Sequence, residues 1–205
     1  MRLAAENLTL ERGGRRLFAN LSFEAKAGEA LVVTGPNGAG KSSLLRGLAG
    51  FLSFASGSVR LESGAAASLQ EQAHYLGHAD ALKAALTAAE NLGFWAEMLG
   101  GTAANVAPAL ARLGLPHVAD FPVRALSAGQ KRRVALARLL VAPRALWLLD
   151  EPTTALDVAA QALFAGIMRA HLETGGIIVA ATHAPLGLEG AKSVRLEGAR
   201  VGAAA

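Results

Sequence analysis

A chain of 205 residues, 52% apolar and 18% charged, is long enough to bury a core and too apolar to remain disordered. It holds no cysteine, which excludes disulfides and thiolate metal sites. The net charge of +4 suits an anionic partner, but the arginines are scattered; the one cluster, Lys131-Arg132-Arg133, reads as a solvated basic face, so no nucleic-acid partner is expected.

Residues Met1 to Asn7 carry no long apolar run, so no signal peptide is expected, and no stretch of about 18 apolar residues could span a membrane. Short strands are predicted over Leu3–Leu10, Arg16–Phe23 and Ala30–Thr34, punctuated by Gly13-Gly14 and Ala27-Gly28-Glu29. A helix follows, reaching about Ala49, then a strand over Gly57–Leu61, a loop or short helix around Gly64–Ala67, and a strand over Ala73–Leu76. Residues 80–113 read as helical, broken at Gly100-Gly101, with Thr87 and Glu90 spaced as a capping box. Pro116–Pro122 reads as a linker and Ser127–Val141 as a helix. A buried strand over Ala145–Leu149, a helix over Val158–Leu172 and a strand over Gly176–Ala181 come next. The described pattern ends in a hairpin of Ser193–Leu196 and Arg200–Val201, turned at Glu197-Gly198. Strand–helix alternation of this kind predicts an α/β fold with its ligand at the carboxyl ends of the strands. One domain is expected: a core from residues 1–78 and 145–205, with an N-terminal antiparallel β-subdomain, and an inserted helical subdomain over 79–144.

The chemistry concentrates at three places. Between the strand Ala30–Thr34 and the helix after it lies Gly35-Pro36-Asn37-Gly38-Ala39-Gly40-Lys41-Ser42-Ser43, where Gly35, Gly40, Lys41 and Ser42 fit the phosphate-loop pattern G-x-x-x-x-G-K-[ST]. Glycines let such a loop wrap an anion with its N–H groups inward, and the helix adds its positive end. Lys41 would reach the outer phosphates, and the Ser42 hydroxyl would bind Mg²⁺. The apolar run Leu146–Leu149 ends in Asp150, placed to hold the same ion, and Glu151, suited to polarising an attacking water. His183, at the end of another strand, could hydrogen-bond the terminal phosphate or that water. Third, Ser127-Ala128-Gly129-Gln130 forms a capped, open helix start, a second anion site. Since one nucleotide is already cradled by 35–43, this second site points to a nucleotide held by another copy, in a head-to-tail dimer.

These motifs together resemble those of the ATP-binding-cassette ATPases. Gly35–Ser42 resembles Walker A, Leu126–Gln130 the signature, Leu146–Glu151 Walker B, Thr154–Asp157 the D-loop and His183 the switch histidine. The resemblance implies a phosphate-loop core of cassette type and ATP hydrolysis with Mg²⁺. Three positions depart from the family pattern. Ala128 stands where a glycine is usual, and His78 stands at the glutamine-loop position. Arg12 stands where an aromatic residue usually stacks on adenine, with Phe18 as the alternative. A narrower set, Tyr75-Leu76-Gly77-His78, Leu82-Lys83, Leu86-Thr87, Glu90-Asn91-Leu92, Phe94-Trp95 and Thr182–Leu186, resembles the CcmA family, the ATPase subunits of the cytochrome c maturation haem exporter. That resemblance implies a multispanning membrane subunit and further haem-handling membrane subunits as partners, with a peripheral position on the cytoplasmic face of the bacterial inner membrane. It also implies that hydrolysis drives haem export or release of a haem-loaded chaperone. The other readings are the ATPase of a lipoprotein, metal or drug transporter, or a soluble ATPase. Leu92, Phe94, Trp95 and Leu99 offer an apolar surface, part of it core, and Phe94 or Trp95 beside His78 would form a groove for a partner's helix.

Overall fold

The computed structural model describes residues 1–64 and 66–197. Strands β1 (Arg2–Arg12), β2 (Arg15–Lys26) and β4 (Ser56–Glu62) form an antiparallel sheet in the order β2-β1-β4. Strands β3 (Ala30–Thr34), β5 (Ala73–Leu76), β6 (Leu146–Asp150), β7 (Ile177–Ala181) and β8 (Lys192–Arg195) form a parallel sheet in the order β5-β6-β7-β3-β8. The central strands β6 and β7 are buried at every residue, as their unbroken apolar runs require of strands covered on both faces.

Alternation splits those runs between two cores. Leu146 and Leu148 face the antiparallel sheet and α1 (Lys41–Leu48), while Trp147 and Leu149 face the helices on the opposite side. In β1 the buried positions change phase, from Leu3 and Ala5 to Leu8 and Leu10, yet all four enter the same core. A register shift makes this possible: Asn7 takes φ of 52°, and β2 answers with Asn20 at φ of 52°, keeping Leu8 opposite Leu21.

Every α-helix between β5 and β6 belongs to one block: α2 (Ala88–Met98), α3 (Val106–Arg112) and α4 (Ala128–Val141), followed after β6 by α5 (Val158–Glu173). The helix expected from Asp80 does not start there; residues 78–87 form no helix. Asn91 explains this. Its side chain accepts from the Lys83 amide at 2.7 Å and donates to the carbonyls of Lys83, Leu86 and Thr87 at 3.1, 3.3 and 2.9 Å. The buried carboxamide therefore holds an irregular segment that periodicity alone reads as helix. The Thr87–Glu90 capping box is present as expected. The Gly100-Gly101 break holds too, with the Gly101 amide bonding back to the Ala96 carbonyl at 2.7 Å. The expected linker contains a 3-10 turn at Pro116–Val118. The first strand of the expected terminal hairpin is β8, which pairs in parallel with β3; Gly198 and the expected strand Arg200–Val201 lie outside the described residues.

At the amino ends of the parallel strands lies a polar inclusion in the core. His74 pairs in register with Trp147, and the His171 ring stacks on the Trp147 ring at 3.9 Å with an interplanar angle of 9°. His74 is 4% exposed, its Nε2–H donating to the Ala142 carbonyl at 2.8 Å. Burial pushes the imidazoles of His74 and His171 down to about 4. The unfolded chain takes up these protons near the ordinary value, so the folded state is favoured fully above about pH 6.5 and loses that advantage as pH falls through 6.5 toward 4. For His74 the loss approaches about 3 kcal/mol, a sizeable share of a marginal stability. The melting temperature followed by circular dichroism should therefore fall steeply between pH 6.5 and 4.5. A flat profile over that window would show that His74 is not held neutral.

Candidate functional site

The loop between β3 and α1 is shaped by three glycines at positive φ, Gly35 at 137°, Gly38 at 80° and Gly40 at 102°. At Gly35 a side chain is excluded by contact as well as conformation, because a Cβ would run into the Leu196 carbonyl oxygen. Gly40 caps α1 while lying against Leu17 and Phe18, where a Cβ would come within 3.1 and 3.2 Å. Lys41, 9% exposed, folds back so that its ammonium donates to the carbonyls of Gly35 at 2.8 Å and Pro36 at 3.1 Å. The loop therefore has a cation tethered across it, next to the positive end of α1.

Two elements bring oxygen ligands to the same spot. Ser42, on the first turn of α1, donates its hydroxyl to Oδ1 of Asp150, at the end of β6, at 3.0 Å. A hydroxyl and a carboxylate in contact match the oxygen-donor preference of a hard divalent cation. Beyond Asp150 the chain turns, and Glu151 takes φ of 47°. Its amide donates to the Ala181 carbonyl at 2.8 Å, and its Oε2 accepts from the hydroxyl of Thr182, a buried residue, at 3.0 Å. Thr182 in turn accepts from the Ala184 amide at 3.0 Å. The second carboxylate is thus oriented by the residue before His183.

A cleft of about 490 Å³ collects these groups: Lys41 to Ser43 with Asn37, Gly38 and Gly40 on one side, Asp150, Glu151 and His183 on another, and Arg12 with Leu17 at the rim. Gly35, Pro36 and Ala39 shape the loop from behind; Ala39 is 2% exposed. Arg12 is exposed at the cleft, whereas Phe18 is buried in the core against Gly40 and so is not free to stack on a ligand there. Cation, anion-binding backbone, paired oxygen ligands and an oriented carboxylate together can bind a polyphosphate and activate water beside its end.

The helix start at Ser127–Gln130 is built as the sequence predicts. The Ser127 amide donates to the Gln130 side chain at 2.9 Å, and the Gln130 amide to the Ser127 hydroxyl at 3.2 Å. Ser127 and Ala128 are exposed, and Ser127–Gln130 do not line the cleft of their own chain. Gly129 lies close to the 154–157 segment, since a Cβ there would sit 3.1 Å from the Ala155 carbonyl.

Of the expected coupling residues, His78 is exposed, and Phe94 is 47% exposed beneath the Lys83 ammonium, 5.2 Å from the ring centre. Trp95 is half-buried, edge-to-face with Phe94 at 5.6 Å and covered by the Arg138 guanidinium at 3.9 Å. Leu92 belongs wholly to the core. The basic cluster is a correction: Arg132 is 3% exposed, not part of a solvated face. Its spacing carried the signal, because Arg132 shares the buried stripe of Ala135, Leu136 and Leu139 at i, i+3, i+4 and i+7. Thr182, too, has a part that sequence reading did not assign; adjacency to His183 was the only hint.

A family model described as ABC transporter matches residues 18–154. The chain is 57% identical to the cytochrome c biogenesis ATP-binding export protein CcmA of Nitrobacter winogradskyi over 97% of this chain and 100% of that protein. It is 54% identical to the protein of the same name from Bradyrhizobium diazoefficiens, over 97% of this chain and 99% of that one. Among solved structures, the ATP-binding subunit of an ABC transporter superposes with a TM-score of 0.84 at 23% identity, covering 96% of this chain and 86% of that chain. That likeness speaks to the fold alone.

Proposed function

The chain belongs to the ABC transporter family, in its CcmA group, and from that premise we propose that it is the ATP-hydrolysing subunit of a membrane complex for cytochrome c biogenesis, coupling hydrolysis to haem export or to release of a haem-loaded chaperone. The observation that carries the reading is the single cleft holding Lys41, Ser42, Asp150, Glu151 and His183. In this reading Gly35–Ser43 and Lys41 hold the ATP phosphates, and Arg12 meets the base. Ser42 and Asp150 would hold Mg²⁺, which when bound neutralises phosphate charge. Glu151, oriented by Thr182, takes the proton of the attacking water, and His183 donates a hydrogen bond beside the terminal phosphate.

Because Ser127 and Ala128 are exposed and Ser127–Gln130 are absent from their own chain's cleft, this helix start completes the cleft of a second copy in a head-to-tail pair with two ATP molecules. No helix among the described residues is long and apolar enough to cross a membrane. A multispanning membrane subunit, with further haem-handling membrane subunits, therefore carries the translocation path, and this chain sits peripherally on the cytoplasmic face of the bacterial inner membrane. The block over 79–144 serves as the helical subdomain that meets it through Phe94 and Trp95, with His78 contributed by the adjoining edge of a nucleotide-binding core of 1–78 and 145–205. Purification from membranes tests this. Recovery with haem-handling membrane subunits is expected; recovery with lipoprotein, metal or drug transporter subunits instead would overturn the assignment.

A further inference from the structure

Arg132 presents five N–H donors, and the structure supplies an oxygen for each. Nε donates to the Pro152 carbonyl at 3.2 Å; Nη2 to the carbonyls of Asp150 at 3.2 Å and Glu151 at 2.7 Å; Nη1 to the Gly77 carbonyl at 3.1 Å and Asp80 Oδ1 at 3.0 Å. Its side chain is 4% exposed, and Asp80 supplies its counter-charge. One planar fork therefore joins two segments. The first is the turn that presents Asp150 and Glu151 to the cleft. The second runs from Gly77 to Asp80 and carries His78. Arg138, further along α4, fastens the same second segment: it donates to the carbonyls of Asp80 at 3.2 Å and Tyr75 at 3.3 Å while lying on Trp95.

Glu151 needs such a hold. A non-glycine residue at φ of 47° persists only when its surroundings over-determine it. Its amide is tied to Ala181, its carboxylate to Thr182, and its carbonyl both to Arg132 at 2.7 Å and to the Thr154 amide at 3.3 Å. Of these four ties only the one to Arg132 leads to the exposed segment around His78.

We propose that Arg132 is a positioning residue that holds the backbone of Glu151 in its catalytic conformation and transmits to it the position of the Gly77–Asp80 segment. The inference rests on the reading of Glu151 as the group that activates water. A partner displacing His78 or Trp95 would then alter turnover without touching the phosphate loop.

The test uses the full chain with Arg132→Gln, Arg132→Lys and Asp80→Asn, measuring phosphate release, KM for ATP and affinity for a fluorescent ATP analogue. Arg132→Gln should lower kcat by about 10²-fold, the scale of a small misplacement, with KM within about threefold of the parent. Arg132→Lys should not rescue, since a three-donor ammonium cannot serve five acceptors in two directions. Asp80→Asn keeps the buried fork and loosens only the second segment; it should lower kcat several-fold and reduce stimulation by the membrane subunits in isolated membranes. Wild-type kcat in Arg132→Lys would overturn the proposal, as would parallel loss of ATP affinity and kcat in Arg132→Gln. If Arg132→Gln does not fold, unchanged kcat and stimulation in Asp80→Asn overturn it. Glu151→Gln in the same assay separates the two ideas: normal turnover there refutes the role of Glu151, whereas its loss beside unaffected Arg132 variants refutes only the link.

Discussion

Alanine at position 41 should abolish ATP hydrolysis. Lys41 and Arg12 are the lysine and arginine that line the cleft, and Arg12 is exposed at its rim, so Lys41 is the cation set within the loop. A charge-assisted hydrogen bond contributes about 1.5–3 kcal/mol, or roughly 10- to 100-fold in affinity. Loss of a donor aimed at developing charge costs about a further 10²–10³-fold in rate. Together these take turnover below detection. The substitution also removes the bonds to the Gly35 and Pro36 carbonyls, so thermal melting must accompany the assay. Lys41→Met, which keeps the packing of the stem in a residue only 9% exposed, should fold like the parent and be equally inactive. Unchanged phosphate release in either folded variant would sink the assignment of the loop.

Glu151→Gln separates binding from chemistry. Glutamine has nearly the same volume, and its amide oxygen can still accept from Thr182, so the turn at φ of 47° keeps its supports. What disappears is the ability to take a proton, worth about 10²–10⁴-fold in rate. ATP affinity should stay near that of the parent while hydrolysis falls by that amount. Because bound ATP then persists, the head-to-tail pair should accumulate, and light scattering should show twice the monomer mass with ATP and the monomer mass without it. Normal turnover would remove Glu151 from the mechanism. Monomers alone in the presence of ATP would count against completion of the site by a second copy's Ser127–Gln130.

Local patterns carried much of this into the sequence. The phosphate loop is contiguous and its glycines are forced by backbone conformation, so Gly35 to Ser42 could be recognised without any knowledge of what surrounds them. Both capping boxes, Thr87 with Glu90 and Ser127 with Gln130, are three-residue relations and appear as expected. The unbroken apolar run of β6 announced a buried strand, because burial on both faces leaves no polar alternation; β7, read only as a strand, proves buried in the same way. The helix expected from Asp80 failed for the opposite reason. Its periodicity was satisfied, but four bonds from Asn91 make the irregular path cheaper, and a bond network of that kind has no periodic signature.

The sequence by itself determined which residues form the phosphate-loop pattern, where the strand ends lie and which family the chain resembles, since each depends on chemistry within a few consecutive residues. Only the tertiary structure decided that Ser42 meets Asp150 across 108 positions, that Thr182 orients Glu151, and that Ser127–Gln130 do not line their own chain's cleft. It also decided the place of Arg132. Charge runs are solvated by default, because an isolated buried guanidinium is costly; here five oxygens from segments far apart in the chain remove that cost, and no local reading of Lys131-Arg132-Arg133 contains those oxygens.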